Sequence, residues 1–357
     1  MAINLEDQIV SDYEQRRSLY ALFTEKLHEI LKTLIEQGGI ELAASECRAK
    51  DVESLREKTG RDSKGGKYKK LEDITDLSGI RLVMFVREDC ENVERIVREN
   101  FKVDKRNSVN KMFAAEVDRF GYASNHIVIS FDNDRAKLPD FAPFKGMKAE
   151  IQIRTLLQHT WAAIDWRMRY KSKAEVPTEL RRTLFGLSAL LEVADGQFSD
   201  LSLRASALKS SYIDKINKGN LDIEINADSV RTFIGNSKKW SDFEEKIRRV
   251  NMEVKDGDLP KEKVAEYVVD FLKYLNIDSI QQLEQRIAKL NQSMVENIAN
   301  IQSDWTALVG STPYWTPEGL LRTVLLLQLE REVMTQAVEM VFLNKDLKSV
   351  IAKRFIA

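Results

Sequence analysis

The sequence contains few of the side chains that build disulfide frameworks and zinc sites. It has two cysteines, Cys47 and Cys90, and three histidines, His28, His126 and His159, in 357 residues. No CxxC pair is present. This content excludes a disulfide framework and a cysteine-rich zinc site, and it argues against a nucleophilic catalytic triad. A chain with so little cysteine is expected in a reducing cytoplasm.

Long hydrophobic runs and nucleotide-binding glycine loops are also missing. No apolar run approaches the roughly 20 residues that a membrane-spanning helix needs, and the first residues are acidic where a signal peptide is basic. Neither GxxxxGKS/T nor GxGxxG occurs, which excludes a P-loop enzyme and a dinucleotide-binding Rossmann domain. The net charge of -1 gives no general attraction to nucleic acid or to membranes. We therefore expect a cytoplasmic protein that does not bind a membrane.

The residues that are present are typical of a helix-rich globular protein. Charged residues make up 31% and hydrophobic residues 43%, with only 6 prolines and 15 glycines. The length suits one large domain or two ordinary ones. Apolar residues with helical spacing run from Asp7 to Gln37, where Gly38 and Gly39 end the pattern. We expect residues 1–44 to form an N-terminal helix that packs on the following domain.

The C-terminal part of the chain, residues 220–357, is predicted to be a helical domain. One group of apolar residues recurs every three to four positions and predicts a coiled-coil-like seam: Ile280, Leu283, Ile287, Leu290, Met294, Ile298 and Ile301. A bundle with its own core is one interpretation. The other is a docking or regulatory module that binds a protein partner, or a second copy of the chain, through Trp305, Tyr314 and Trp315.

The segment Lys148–Lys171 changes its hydrophobic period partway along. Polar and apolar residues first alternate, which predicts a strand with Glu150, Gln152 and Arg154 on one face. From Leu157 onward the apolar residues recur every three to four positions, which predicts a helix. The polar face of the strand is either solvated or part of a site, and this segment alone leaves both interpretations open.

Two upstream features suit the binding of nucleotide phosphates. Lysines and glycines fill the loop from Thr59 to Lys70, and flexible ammonium groups can surround several phosphate oxygens. Asp76 lies just ahead of a predicted buried strand, Ile80–Val86, where a carboxylate can bind magnesium. The alternatives are a solvated loop and an aspartate that serves a turn or a helix cap.

A further tyrosine and histidine lie close together at the start of another predicted strand. Gly121 and Tyr122 predict a turn, and His126 follows on the strand, so the tyrosine could stack on a base beside the imidazole. The alternative is a Tyr/His pair at a sheet edge. Arg48 and Lys50 are predicted to share one side of an extended segment, Glu88–Glu99 is predicted to be a crossover helix, and Phe101–Val103 and Met112–Val117 are weaker strand candidates. Strands and helices thus alternate within residues 45–171, and an apolar-rich helix, Leu180–Phe198, is predicted to close this domain. The expected fold class is α+β, a mixed sheet flanked by helices and followed by an all-helical C-terminal region.

Five blocks of residues, taken in order, resemble the RelA/SpoT-type alarmone synthetases over residues 45–200. The blocks are Arg48-x-Lys50-x-x-x-Ser54, Asp76-Leu-Ser-Gly-Ile-Arg81, Gly121-Tyr122-x-Ser124-x-His126, Glu150-x-Gln152-Ile-Arg154-Thr155 and Tyr170-Lys171. The resemblance implies a nucleotidyltransferase-like synthetase core. It also implies transfer of pyrophosphate from ATP to the 3′-hydroxyl of GDP or GTP, which gives ppGpp or pppGpp.

The resemblance assigns three groups of side chains to this reaction. Two carboxylates would hold Mg²⁺, and the second would also activate the 3′-hydroxyl: Asp76 and Glu150. A second group would hold ATP. Arg48 and Arg81 would enclose the adenine between their guanidinium groups, and Lys50, Ser54 and Lys58 would bind the phosphates. A third group would surround the acceptor nucleotide: Tyr122, His126, Gln152 and His159.

Two positions depart from the family pattern on the acceptor side. Family members carry a PKxNGY-like segment whose lysine meets the acceptor phosphates, whereas this chain has Asp118 in Val117–Tyr122. Asp165-Trp166 stands where a Glu-His pair is usual. Because some relatives are toxins that pyrophosphorylate the 3′ end of tRNA, tRNA is an alternative acceptor, which basic residues such as Arg167 would contact.

A third hypothesis is a nucleotide-binding interaction protein without catalysis. The presence of both Asp76 and Glu150 argues against it. Long family members also contain a metal-dependent hydrolase domain, which needs several histidines and a His-Asp pair. This chain has no His-Asp dipeptide and no histidine after His159, so it is expected to synthesise the product and not to degrade it.

Overall fold

The computed structural model describes residues 5–62, 68–110, 125–171, 178–257, 261–341 and 344–356. The chain divides into two compact units, Met1–Leu203 and Arg204–Ala357. No helix in these described ranges is both long enough and apolar enough to cross a membrane.

The first unit contains a six-stranded mixed sheet, as the alternating strand and helix patterns predict. Its strands are β1 (Leu42–Ala49), β2 (Ser78–Met84), β3 (Lys102–Val103), β4 (Val109–Asn110), β5 (Asn125–Ser130) and β6 (Ala149–Thr155). Their spatial order is β1-β2-β6-β5-β3, and β4 also pairs with β5. The inner pair β2 and β6 is parallel, whereas β1 with β2 and β5 with β6 are antiparallel.

Alternation along the inner strands gives the sheet one apolar and one polar face. Ile80, Ile127, Ile151 and Ile153 are at most 1% exposed and belong to one hydrophobic core. Helices α1 (Leu5–Gln37) and α3 (Arg87–Asn100) contribute to the same core and cover this face. The two helices predicted at these positions are therefore confirmed, and the polar face lies opposite them.

The remaining helices of this unit are α2 (Val52–Asp62), α4 (Leu156–Lys171) and the start of α5 (Thr178–Asn217). Short 3-10 turns occupy Leu71–Asp73, Arg135–Lys137 and Ala142–Phe144. The predicted strand at residues 112–117 lies outside the described residues. Strands β1 and β4 were not predicted in full, because neither has the strong apolar alternation of β6.

Helix α5 packs on the first unit through polar rather than apolar side chains. Between residues 180 and 203 its buried positions are Ser188, Asp195 and Ser199. Asp195 is 1% exposed and accepts a 2.8 Å bond from the Nε of Arg87, and the Ser199 hydroxyl accepts from the Arg87 backbone N–H. The expectation that the apolar residues of this helix close the core is wrong, since Leu190 is 68% exposed.

The second unit is helical, as predicted for the C-terminal part of the chain. Its helices after α5 are α6 (Ala227–Asn236), α7 (Lys238–Arg249), α8 (Lys261–Tyr274), α9 (Ile280–Ile287), α10 (Gln292–Val309), α11 (Pro317–Leu326), α12 (Arg331–Val341) and α13 (Lys345–Ile351). A final π-helical turn occupies Ala352–Ile356. Trp240, Phe271 and Trp315 are among its most buried large side chains.

The predicted continuous seam from Ile280 to Ile301 is two helices, α9 and α10. The chain turns between them, and the Asn291 side chain accepts a hydrogen bond from the backbone N–H of Met294 as the N-cap of α10. Five of the seven predicted positions are buried, and Leu290 and Met294 are partly buried against the same core. The spacing therefore identified the core residues correctly but missed the turn.

Replacing Trp315 with phenylalanine is expected to destabilise the second unit by about 2 kcal/mol, because a buried amide oxygen loses its donor. The Trp315 Nε1 donates to the Gln302 Oε1 at 2.6 Å, and the Gln302 Nε2 donates to the Pro313 carbonyl at 2.7 Å. Both residues are buried, at 2% and 7% exposure. Urea denaturation followed by circular dichroism measures the change.

The control for this variant is Trp166→Phe, which removes an indole that is 63% exposed in helix α4. It should alter the free energy of unfolding by less than about 0.5 kcal/mol. Equal effects of the two substitutions would show that the Trp315–Gln302 hydrogen bond does not stabilise the unit.

Candidate functional site

Strand register brings polar residues from four chain segments into two adjacent rows on the polar face of the sheet. Residues paired across neighbouring strands point to the same side of a sheet. The first row contains Glu46, Arg81, Gln152 and His126. The second contains Arg48, Gly79, Glu150 and Val128. The residues predicted to share the polar face of β6 therefore do so.

A cavity of about 370 Å³ lies over these rows. Its lining includes three cations and three carboxylates, and it consists of Glu46, Cys47, Arg48, Lys50, Asp76, Gly79, Ile80, Arg81, Glu150 and Gln152. Six of the predicted site residues are in this lining. The cavity is thus a polar, charged pocket of the kind that binds a charged small molecule.

Asp76 is held by two lysines at the edge of the cavity. Its Oδ2 accepts from the Lys50 Nζ at 2.8 Å and lies 2.7 Å from the Lys58 Nζ. Its Oδ1 is buried and has no hydrogen-bond partner. Burial alone would raise the pKa of Asp76, but the bonds from both lysines outweigh it and hold that pKa below the ordinary value. The carboxylate is therefore ionised at neutral pH.

Both lysines make further contacts, Lys50 through its main chain and Lys58 through its ammonium group. The Lys50 backbone N–H donates to the Leu77 carbonyl at 2.8 Å, and its own carbonyl accepts from the Tyr13 hydroxyl at 2.6 Å. Burial raises the pKa of Tyr13 to about 12, so this hydroxyl keeps its proton. The Lys58 Nζ lies 5.9 Å from the centre of the Tyr68 ring, within reach of a cation–π interaction.

Glu150 is held by a chain of side chains along the sheet. Its Oε1 accepts from the Gln152 Nε2 at 3.0 Å and lies 3.2 Å from the His126 Nδ1. The Arg154 guanidinium in turn donates to the Gln152 Oε1. Burial and the nearby Asp76 raise the pKa of Glu150, but the bonds from His126 and Gln152 outweigh them, so that pKa is lowered. Glu150 is ionised and its orientation is fixed.

Two arginines on the polar face differ in environment. Arg154 is only 6% exposed, and burial together with the neighbouring Arg81 lowers its pKa to about 10. The Arg81 Nη1 donates to the Glu46 Oε2 at 2.6 Å. Sequence reasoning missed Glu46, although its position two residues before Arg48 in an extended segment would have placed it on the same face.

Strand β6 leads directly into helix α4 through a capping box. The Thr155 hydroxyl accepts from the backbone N–H of Gln158, and the Gln158 side chain accepts from the backbone N–H of Thr155. His159 lies on the first turn of this helix, and burial, Arg81 and Arg154 lower its pKa. The imidazole is therefore neutral at physiological pH.

The predicted residues fall into three groups by position. Arg48, Lys50, Asp76, Arg81, Glu150 and Gln152 line the cavity. Lys58 and His126 contact its carboxylates. Ser54 is exposed on α2, His159 lies on α4, and Tyr122 lies outside the described residues, as do residues 63–67 of the lysine-rich loop. Asp73, by contrast with Asp76, accepts from the backbone of Lys69 and Lys70 and serves a turn.

One family model matches a region that includes every residue of the cavity lining except Glu46. Residues 47–175 match the region found in RelA / SpoT proteins. The chain contains a RelA/SpoT domain.

Curated relatives of the RelA/SpoT domain come from Bacillus subtilis strain 168. The chain is 29% identical over 171 residues to the GTP pyrophosphokinase YjbM, which covers 47% of this chain and 75% of that protein. It is 28% identical over 137 residues to the GTP pyrophosphokinase YwaC, covering 38% and 62%.

Among solved structures, the chain is similar to the crystal structure of the small alarmone synthetase 1 from Bacillus subtilis. The TM-score is 0.46 at 25% identity, covering 55% of this chain and 98% of that one. The small alarmone synthetase 2 from the same organism gives a TM-score of 0.46 at 22% identity, covering 54% and 99%.

The acidic residues of the RelA/SpoT domain suit a magnesium ion that arrives with phosphates. No three His, Cys, Asp or Glu side chains form a metal cluster among the residues described. Mg²⁺ in phosphate-transfer sites often takes only one or two carboxylates, with the remaining ligands from substrate and water. Asp76 offers a buried oxygen without a partner, and Glu150 lines the same cavity. These two carboxylates fit such an ion.

Asp76→Asn is expected to destabilise the RelA/SpoT domain by about 2 kcal/mol at neutral pH, because charge-assisted hydrogen bonds to two lysines are lost. The pKa of Asp76 is lowered in the folded state, so its contribution is present above the unfolded pKa of about 3.9. That contribution is lost as the pH falls through the folded pKa. Denaturation of both proteins from pH 7 to pH 3 should show the difference shrinking below about pH 4.

Asp134→Asn is the control, since Asp134 forms an ion pair with Lys137 in which both side chains are at least 74% exposed. This variant should match the parent protein across the pH range, because exposed ion pairs contribute little. A stability difference for Asp76→Asn that stays constant down to pH 3 would contradict the lowered pKa.

Proposed function

We propose that the RelA/SpoT domain transfers pyrophosphate from ATP to the 3′-hydroxyl of GDP or GTP. The observation that carries this proposal is the convergence of Asp76, Glu150, Lys50 and Arg81 on one cavity. The matched region includes all four residues, and the curated relatives are named GTP pyrophosphokinases. The products would be ppGpp and pppGpp.

The donor nucleotide would occupy the side of the cavity formed by β1, β2 and the residues that follow β1. The ammonium groups of Lys50 and Lys58 both lie beside Asp76 Oδ2, and they would bind the phosphates of ATP. Arg48 and Arg81 extend from neighbouring strands, two positions apart in register, and their guanidinium planes would enclose the adenine. The hydroxyl group of Ser54 on α2 would also bind these phosphates.

Asp76 and Glu150 would hold Mg²⁺ against the phosphates of ATP. The ion would neutralise charge on the transferred group and on the departing AMP. In this arrangement the protein needs to supply few ligands, because phosphate oxygens and water complete the coordination.

Glu150 would also act as the base for the acceptor. Its lowered pKa keeps the carboxylate in the unprotonated form that a base requires, although the same shift lowers its basicity. The 3′-oxygen then forms a bond to the β-phosphorus of ATP, and the bond from that phosphorus to the α,β-bridging oxygen breaks to release AMP. His126 and Gln152 would keep the carboxylate oriented during this step. Tyr122 and His159 complete the proposed acceptor site.

The test is an assay of the purified full-length chain with Mg²⁺, γ-labelled ATP and either GDP or GTP. We expect the label to appear in a 3′-pyrophosphorylated guanine nucleotide, with AMP released in equal amount. Labelled inorganic phosphate alone would indicate hydrolysis. No labelled product with any acceptor, despite measured binding of ATP, would favour a nucleotide-binding protein without catalysis.

A second acceptor, the 3′ end of tRNA, is favoured by the surface of helix α4. Trp166 is 63% exposed there and is followed by the exposed Arg167, so an aromatic ring and a cation face solvent together. Such a pair can stack on a base and contact a phosphate. The sequence supports this alternative with Asp118 in the segment where family members carry a phosphate-binding lysine. Adding tRNA and GDP to separate reactions distinguishes the two acceptors on one gel.

A further inference from the structure

Every carboxylate that lines the cavity is engaged by a side chain of the protein itself. Glu46 pairs with Arg81, and Glu150 is held by Gln152 and His126. Asp76 is the most strongly engaged, because two ammonium groups share its single Oδ2. The lysines proposed to bind ATP phosphates thus neutralise the carboxylate proposed to bind the metal.

The partners of Asp76 are well placed to compete with a cation. The three side chains are between 17% and 24% exposed, so water screens their attraction only partly. A divalent ion that approaches Asp76 in the absence of nucleotide would meet two positive charges within hydrogen-bond distance of its ligand. Among the described residues, no three acidic, imidazole or thiol groups lie close enough together to hold a metal ion, so little else would compensate for this repulsion.

We propose that Lys50 and Lys58 form a charge lock on Asp76, which admits a divalent ion only when nucleotide phosphates draw the two ammonium groups away. This inference rests on the proposed function, because it assigns both lysines to the donor phosphates. Lys50 can make the exchange without a change in the main chain, whose N–H and carbonyl remain bonded to Leu77 and Tyr13. Binding of the donor nucleotide would therefore free Asp76 to bind the divalent ion.

The charge lock predicts that metal and nucleotide increase each other's affinity by the same factor, as linkage requires. The charge lock also predicts that substituting either lysine has two opposite effects on binding. Removing its charge weakens binding of the triphosphate, but it strengthens binding of a divalent ion to the nucleotide-free protein. A lysine that only binds phosphate would produce the first effect without the second.

The experiment titrates Mn²⁺ into nucleotide-free full-length protein and measures free Mn²⁺ by electron paramagnetic resonance. Lys58→Met keeps the unbranched side chain, one atom shorter, and removes its charge. Lys50→Met tests the other lysine of the lock. We expect each variant to bind one Mn²⁺ about tenfold more tightly than the parent protein, or tighter still. Adding Asp76→Asn to Lys58→Met should abolish the gain.

Lys148→Met is the matched control, because Lys148 also forms a 2.7 Å pair with an aspartate, Asp104, in the same unit. It changes the net charge equally and should not gain the Mn²⁺ site. Thermal unfolding of each variant verifies that it is folded.

Two results would overturn the charge lock. One is unchanged Mn²⁺ affinity in both folded lysine variants, and the other is tight Mn²⁺ binding by the nucleotide-free parent that Asp76→Asn removes. The proposed function is judged separately by its product assay. A gained Mn²⁺ site in a protein that makes no pyrophosphorylated product would leave the lock standing and refute the proposed reaction.

Discussion

Glu150→Gln is expected to reduce the rate of pyrophosphate transfer by about 10²- to 10⁴-fold, the range that a positioned general base contributes. Glutamine has nearly the same shape and can still accept the hydrogen bond that Gln152 donates to Oε1. It cannot accept the 3′-hydroxyl proton, and it is a weaker ligand for a divalent ion. The measurement is the initial rate with saturating ATP and acceptor, together with the affinity for the acceptor.

Glu46→Gln is the matched control, because Glu46 is another carboxylate in the cavity lining and pairs with Arg81. Its side chain is 62% exposed, so its ion pair should be worth about 1 kcal/mol or less, and the rate should change by less than about tenfold. If Glu150→Gln retained a rate as high as that of Glu46→Gln, Glu150 would not be the base.

Gly79→Leu is expected to weaken nucleotide binding strongly while leaving the protein folded. Gly79 lies on the cavity lining between Arg48 and Glu150 in register. A Cβ added there would meet only the Arg48 carbonyl oxygen, at an ordinary contact distance of 3.8 Å. The larger side chain would therefore occupy the cavity rather than disturb the core. We expect affinity for an ATP analogue to fall by about 100-fold, the scale of loss caused by a small misplacement in a site.

Gly79→Ala and Gly235→Leu separate binding from stability for this variant. Glycine within a strand is less favourable than alanine by about 0.5 to 1 kcal/mol, so Gly79→Ala should unfold at a slightly higher denaturant concentration. Gly235 in helix α6 has no atom within 4 Å of an added Cβ, and its substitution should not alter nucleotide affinity. Tight nucleotide binding by folded Gly79→Leu would contradict the placement of the nucleotide in this cavity.

The elements that were predicted correctly are those with a strong local pattern. Strand β6 and helix α3 were identified by spacing alone, because burial of alternate residues or of one helical face is visible within about ten residues. The turn between α9 and α10 was missed, since the apolar spacing continues through it, although α9 ends at Ile287 and Asn291 caps the start of α10. Helix α5 was misread because its apolar residues face outward.

The sequence predicted residues that belong to the site, but it did not predict how they pair with one another. The family resemblance named Asp76 and Glu150, but the lysine pair on Asp76 depends on how α2 packs, which no local pattern records. Local spacing would have placed Glu46 on the face of Arg48, but its pairing with Arg81 follows from the register of β1 with β2. Register connects residues that are 35 positions apart, and sequence spacing does not reveal it.

The position of β6 between β2 and β5 ties folding of the first unit to assembly of its site. This strand is the last of the six in the chain, yet it forms the parallel partner of β2, about 70 residues earlier. Closing so long a loop costs conformational entropy and therefore slows folding. The pairing of β2 with β6 stabilises the sheet only once it is complete. A chain ending before Ala149 would leave the edges of β2 and β5 unpaired, with their apolar faces open to aggregation. We therefore expect no fragment that lacks β6 to retain partial binding, because the interior of the sheet and the cavity floor form in a single cooperative event.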